Sequence, residues 1–121
     1  MQWAWDPGDP INSAPFLIDP ARRLPGVPPK RILMHEGLGD IFVPNAQGDA
    51  LARVIGLPDA NATRGCANSA GCSGIWRFDP AVYGIAPSLA HFVTNLIPEA
   101  QAQAARFLLS GGSEIIDATR Q

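Results

Sequence analysis

The sequence has no apolar run approaching the ~20 residues that a membrane-spanning helix needs, and its first residues contain neither a basic region nor an apolar signal core. We therefore expect a soluble protein without a visible export signal, and the compartment stays unknown. Charged residues are also scarce, at 17% against the usual ~25%, and 9 basic against 11 acidic residues give a formal charge of -2. This composition favours neither a nucleic-acid partner nor a membrane partner.

Cysteine is scarce as well, because only Cys66 and Cys72 occur. Two cysteines are too few for a disulfide framework, and their spacing matches neither the redox nor the zinc motif with two intervening residues. The pair can close a small disulfide, remain as free thiols or bind a metal. A chain of 121 residues is one domain's worth and can bury about two-thirds of its unfolded surface, so folding requires neither a metal nor a disulfide.

Proline and glycine are abundant, with 12 of each, so regular elements must be short and separated by loops. Segment 1–29 carries 7 of the prolines together with apolar side chains that include Trp3 and Trp5. It predicts no central strand and no long helix. We expect this segment to wrap a surface of its own domain or of a partner, and residues 30–121 to form the folded domain.

The pattern beyond residue 30 predicts an α/β fold, in which a small sheet has flanking helices. The predicted strands are one at 31–35 that is buried on both faces and one at 75–78. The predicted helices are one capped by Asn45 and ended by Gly56, and one that begins near Pro98 and is stopped by Gly111 and Gly112. The tail at 114–117 is either a third strand or a docked end. The loop from 59 to 74 separates the first helix from the second strand.

Two side chains on these loops point to chemistry. Asp40 follows the carboxyl end of the first predicted strand, where open α/β sheets place ligands and catalytic groups. His91 follows the second strand and precedes the last helix. A carboxylate and an imidazole on neighbouring loops can meet above adjacent strands, where the carboxylate fixes the ring tautomer. The alternative is that both residues have only structural roles, with Asp40 binding loop amides and His91 acting as a capping residue.

The segment Lys30 to Asn45 reads KRILMHEGLGDIFVPN. It resembles the α/β-hydrolase segment in which a late strand ends in a glycine loop, an aspartate and a following Val-Pro. The resemblance covers roughly residues 28–112, and His91 is assigned by order and context. It implies that Asp40 is the acid and His91 the base of an ester hydrolase, and that Gly37, Leu38 and Gly39 contact the substrate.

The sequence departs from that family in one respect. The Gly-x-Ser-x-Gly nucleophile elbow does not occur upstream of Asp40, and the nearest strings, 67–71 and 70–74, follow it and lead toward a strand. The chain thus resembles the C-terminal third of such an enzyme, without its nucleophile, its oxyanion hole and most of its sheet. The first strand would then have an open edge, so we expect a second copy to cover it in a homo-oligomer, most simply a dimer.

Three functions follow as hypotheses. In the first, the chain hydrolyses activated esters, either aryl carboxylic esters or phosphotriesters, with His91 as general base oriented by Asp40 and with no cofactor. In the second, zinc is bound by His35, Asp40, His91 and the thiols, with the ligands gathered in an oligomer. In the third, the chain is a non-catalytic structural or interaction fragment.

Three further side chains have two interpretations each. Glu36 is either a spare carboxylate or a solvated turn residue. Trp3 and Trp5 either pack against the protein or form an aromatic wall beside the site.

Overall fold

The computed structural model describes residues 9–119. Its helices are α1 (Pro10–Ser13), α2 (Asn45–Ile55), α3 (Val93–Leu96) and α4 (Pro98–Leu109), with 3-10 helices at Ala14–Phe16, Pro80–Tyr83 and Pro87–Phe92. Its strands are β1 (Leu33–Gly37), β2 (Cys66–Ala67), β3 (Gly74–Phe78) and β4 (Glu114–Ile115). No helix among residues 9–119 has the length and apolar character needed to cross a bilayer.

The strands form two small sheets. Parallel β1 and β3 are joined through α2, and their register pairs Leu33 with Gly74 and Gly37 with Phe78. Antiparallel β2 and β4 form the second sheet. The fold is therefore mixed α/β, with two strands in each sheet. Because β1 and β3 run in the same direction, the loops that follow them leave at one end of the sheet.

The first strand differs from its prediction in position and burial. It begins two residues late, at Leu33, and its first three residues are only half-buried, whereas Glu36 and Gly37 are buried. The prediction of a strand buried on both faces is therefore wrong for Leu33 to His35. In the described range the ladder partner of β1 is β3 alone, so its other edge has no neighbouring strand.

Two predicted helix boundaries are confirmed, the end of α2 at Gly56 and the start of α4 at Pro98. Gly56 adopts a left-handed conformation at φ 84° and donates to the carbonyls of Ala52 and Arg53, which closes α2. Helix α4 begins at Pro98, where a missing N–H costs nothing, and Glu99 lies in its first turn. The start of α2 corrects the prediction, because Asn45 is the first helical residue and its side chain caps no amide of the helix.

The core lies between β3, α3, α4 and the C-terminal segment. Its largest members are Trp76, Phe78, Ile97 and Ile115, each at most 2% exposed. Burying each such side chain contributes about 1.5–3 kcal/mol. This packing fixes the carboxyl ends of β1 and β3 relative to the segment that carries His91.

The disulfide and the C-terminal tail close the other end of the fold. Cys66 and Cys72 form a disulfide, the first of the three predicted states. The Cys72 amide donates to Gly112 O at 2.7 Å, and Cys66 pairs with Ile115 across β2 and β4. The tail is thus a short strand, the first of its two predicted alternatives.

The N-terminal segment contains, from residue 9 to residue 29, only α1, one 3-10 helix and turns, in agreement with the absence of a strand or a long helix. Both helical pieces lie against α2, and the Lys30 amide donates to Leu17 O at 2.9 Å. The segment therefore covers its own domain at α2. Trp3 and Trp5 lie outside the described residues.

Candidate active site

The loop after β1 is held at both of its ends. The Leu38 amide donates to Phe78 O at 2.9 Å and so extends the ladder one residue past the strands. The Asn45 amide group donates to Gly37 O and its oxygen accepts from the Gly39 amide, both at 2.8 Å. Asn45 therefore ties the loop to itself and is unavailable as the predicted helix cap.

Asp40 uses its two carboxylate oxygens for different purposes. Oδ1 accepts from the backbone amides of Phe42 at 2.8 Å and Val43 at 3.1 Å, which fixes the turn into α2. Oδ2 faces His91. Burial raises the pKa of the Asp40 carboxyl, but the hydrogen bonds from His91 and from the two amides outweigh burial, so the net shift is downward. Asp40 is consequently an ionised acceptor at neutral pH.

His91 reaches Asp40 from the 3-10 helix Pro87–Phe92. Its Nδ1 lies 2.8 Å from Asp40 Oδ2, across 51 residues of sequence. The Asp40 side chain is 8% exposed, whereas the His91 side chain is 41% exposed. The structure thus brings these two residues together, as the strand order predicts, with the acid shielded and the imidazole open to solvent.

This geometry fixes the tautomer of His91. An ionised carboxylate can only accept a hydrogen bond, so Nδ1 must carry the proton that it donates to Asp40. In the neutral ring, Nε2 is then left with a lone pair. An exposed imidazole with a lone pair on Nε2 can take a proton from water or an alcohol, and Asp40 stabilises the cation that results.

Two phenylalanines that the sequence interpretation missed flank the imidazole. The ring of Phe42 lies 5.7 Å from that of His91 and the ring of Phe92 lies 5.3 Å from it, centroid to centroid, both edge-on. The two phenyl rings are 6.3 Å apart. The available signal was their position, because Phe42 follows Asp40 by two residues and Phe92 adjoins His91.

The three residues expected to contact substrate differ in accessibility. Gly37 is buried, and a Cβ added to it would lie 2.0 Å from Ala90 O, so it permits close backbone packing beside His91. Leu38 and Gly39 are exposed. Gly39 has φ 76°, a conformation that favours glycine. Leu38 and Gly39 are therefore the two that can face a ligand.

His35 is occupied by a different network. Its Nε2 donates to Gln103 Oε1 at 2.9 Å, and its Nδ1 accepts from the Thr94 hydroxyl at 3.1 Å. Burial lowers the pKa of His35 below its ordinary value, more than the Gln103 hydrogen bond raises it. The structure does not bring His35 to Asp40 and His91, and no three His, Cys, Asp or Glu side chains within residues 9–119 are grouped to hold a metal.

Glu36 is neither spare nor solvated. Its side chain is 7% exposed and accepts from Arg77 Nε at 2.9 Å. Arg77 also pairs with Asp49 and Asp59, so one guanidinium joins β1, α2 and the loop before β3. Burial lowers the pKa of Arg77, but the hydrogen bonds and charges of Asp49 and Glu36 outweigh burial and raise it above its ordinary value. The cluster stabilises the crossover that carries the Asp40 loop.

Ser73, the serine of the second elbow-like string, lies at the opposite end of the β1–β3 ladder from Asp40. Ser73 Oγ accepts from the Ile32 amide at 3.0 Å and so belongs to the start of the β1–β3 ladder. In the part of the chain that the structure describes, the hydrogen-bond partner of the His91 ring is Asp40.

Comparison with protein families, with curated proteins and with solved structures gives no match for this chain.

Proposed function

We propose that this protein hydrolyses activated esters, namely aryl carboxylic esters or phosphotriesters, with His91 as general base and Asp40 as the residue that orients it. The observation that supports this proposal is the 2.8 Å hydrogen bond from His91 Nδ1 to a shielded carboxylate, combined with an exposed imidazole.

The proposed reaction uses water as nucleophile. His91 Nε2 accepts a proton from water while the water oxygen forms a bond to the carbonyl carbon or to phosphorus. The bond to the aryloxide then breaks with its electron pair on the leaving oxygen, and the imidazolium, held by Asp40, returns the proton to the products. The expected gain from one positioned base is about 100- to 10,000-fold over the same reaction in water.

The proposed reaction requires an activated ester because few catalytic groups take part in it. The proposed mechanism assigns roles only to an imidazole and a carboxylate, so the leaving group itself must stabilise most of the charge that develops. Aryloxides do so, because a phenol is a much stronger acid than an alkyl alcohol. We accordingly expect turnover of nitrophenyl esters and none of simple alkyl esters.

The α/β-hydrolase resemblance remains part of the proposal. It is supported by the order strand, aspartate loop, helix, strand and histidine, and by parallel pairing of the two strands that precede the dyad residues. A descendant of the C-terminal third of such an enzyme would retain an acid and a base while lacking the serine.

We further propose that a second copy of the chain pairs with the open edge of β1. Gly74 N donates to Ile32 O and Leu38 N donates to Phe78 O, so the ladder uses every second residue of β1. In this alternation the amides of Met34 and Glu36 face β3, whereas those of Leu33, His35 and Gly37 face away from it. An edge of this kind is a template for pairing.

The hydrolysis proposal is tested with the full chain on 4-nitrophenyl acetate and a diethyl nitrophenyl phosphotriester, each with and without a chelator. His91-dependent activity that persists in chelator supports the proposal, and His91→Ala should return it to the buffer rate. Activity that the chelator abolishes would replace it with the zinc alternative. Rates equal to buffer on both substrates would leave the chain a non-catalytic fragment.

A further inference from the structure

The aromatic rings beside His91 carry an inference that rests on the proposed function and refines its substrate class. Phe42 is 61% exposed and Phe92 is 43% exposed, so neither belongs to the core, and both leave ring surface open to solvent. Their backbone positions are nevertheless fixed. The Phe42 amide is held by Asp40 Oδ1, and Phe92 follows His91 directly in the 3-10 helix.

The geometry of the three rings is that of a partly filled aromatic cluster. Phe42 meets both His91 and Phe92 at 65°, and Phe92 meets His91 at 89°. Aromatic rings prefer such tilted and edge-on contacts at roughly 4.5–7 Å because their faces are electron-rich and their edges electron-poor. A further ring can therefore add to Phe42 and Phe92 in the same way, and it would then lie beside the imidazole.

We propose that Phe42 and Phe92 are specificity-determining residues that bind an aromatic ring of the substrate and so select aryl esters over alicyclic esters of similar size. The ring contact depends on aromatic character as well as on apolar area. A saturated ring offers the same area without the electrostatic preference, so it binds less tightly. The expected discrimination is about fivefold.

Binding is tested separately from turnover with two matched ligands, phenyl methylphosphonate and cyclohexyl methylphosphonate, titrated into the full chain and followed by the NMR signals of the His91 ring. We expect the phenyl ligand to bind about fivefold more tightly, and the preference to disappear in Phe42→Leu and in Phe92→Leu. Phe16→Leu is the control, because Phe16 is similarly exposed, at 51%, but lies in the N-terminal segment. It should keep the preference.

Several results would overturn the inference: equal affinity for the two ligands, no shift of the His91 signals with either ligand, or a preference that survives both variants. A dimer that dissociates in Phe42→Leu by light scattering would also overturn it, since the rings would then serve self-contact. A preference for the phenyl ligand in a protein without His91-dependent hydrolysis would uphold the aromatic site and refute the hydrolase. His91-dependent hydrolysis without a preference for the phenyl ligand would uphold the hydrolase and refute the aromatic site.

Discussion

Gly37 packs its backbone directly on the carbonyl of Ala90, with room for a hydrogen atom and nothing larger. A Cβ at position 37 would lie 2.0 Å from Ala90 O and 2.9 Å from a methyl of Val93. Both Ala90 and Val93 are buried beside His91. This contact sets the distance between the end of β1 and the His91 segment, and therefore the meeting of His91 with Asp40.

Replacing Gly37 by alanine tests this contact. We expect Gly37→Ala to lower the free energy of unfolding by about 1–3 kcal/mol through overpacking and to displace His91 from Asp40, with loss of hydrolysis. Gly74→Ala is the control on the partner strand, where the new Cβ would meet Ala60 Cβ at 3.0 Å, Pro58 O at 3.3 Å and Ile115 Cδ1 at 3.5 Å. These contacts are less severe than those at Gly37, and they lie away from the dyad. Urea unfolding and ester hydrolysis measure both effects, and an unchanged rate in Gly37→Ala would refute the positioning role.

Asp40 has two roles, binding the amides of its loop and orienting His91, and a substitution can remove the second role alone. In Asp40→Asn the amide oxygen can still accept from Phe42 and Val43, but the NH2 group then faces His91 Nδ1 and makes that nitrogen an acceptor. The proton moves to Nε2 and the general base is lost. We expect hydrolysis to fall about 100-fold while the loop and stability stay nearly unchanged.

The change of the His91 tautomer in Asp40→Asn can be detected directly by NMR. Long-range 15N NMR of the two histidines should show His91 protonated on Nδ1 and His35 on Nε2 in the native protein, and both on Nε2 in Asp40→Asn. Asp40→Ala is the comparison that removes both tasks, so it should lose stability as well as activity. A native His91 protonated on Nε2 would contradict the proposed orientation.

His35 predicts a pH dependence of stability. Because burial lowers its pKa in the folded state, the unfolded chain binds the proton more readily between the ordinary value of 6.5 and that lowered value. The free energy of unfolding should therefore fall as the pH falls through this window, by at most about 1.4 kcal/mol per pH unit for one proton.

The control for that titration is His35→Gln, which cannot titrate and keeps an amide for Thr94 and Gln103. Its denaturant midpoint, measured from pH 7 downward, should lack the part of the slope that His35 contributes. Identical slopes in the two proteins would show that His35 takes up a proton in the folded state without penalty. The lowered pKa of Asp40 adds a separate loss of stability only at more acidic pH, as that carboxylate becomes protonated.

The proposed pairing through β1 predicts a concentration-dependent hydrogen exchange. At micromolar concentration we expect a dimer by light scattering, with slow exchange at the outward amides of Leu33, His35 and Gly37. Dilution to the monomer should speed their exchange and leave the inward amides of Met34 and Glu36 protected by β3. A compact monomer at every concentration would refute the pairing.

Local sequence signals predicted the parts of the fold that depend on neighbouring residues. Gly56 and Pro98 mark helix ends through backbone geometry that is almost independent of tertiary context. The convergence of Asp40 and His91 also follows from sequence, because parallel strands send their following loops to one end of the sheet.

Contacts distant in sequence explain what was missed. Asn45 looks like a helix cap, yet its side chain binds Gly37 and Gly39 because the returning loop presents both a carbonyl and an amide. Glu36 looks like a turn residue but is buried by Arg77, 41 residues away. No pattern in the chain specifies such pairings before the sheet register is known.

General-base catalysis by His91 is tested by the rate of 4-nitrophenyl acetate hydrolysis by the native chain and by His91→Gln, side by side in chelator. We expect turnover above buffer in the native protein and a fall of about 100-fold or more, to the buffer rate, in the variant. Equal rates for the two proteins, whether both active or both inert, would contradict it.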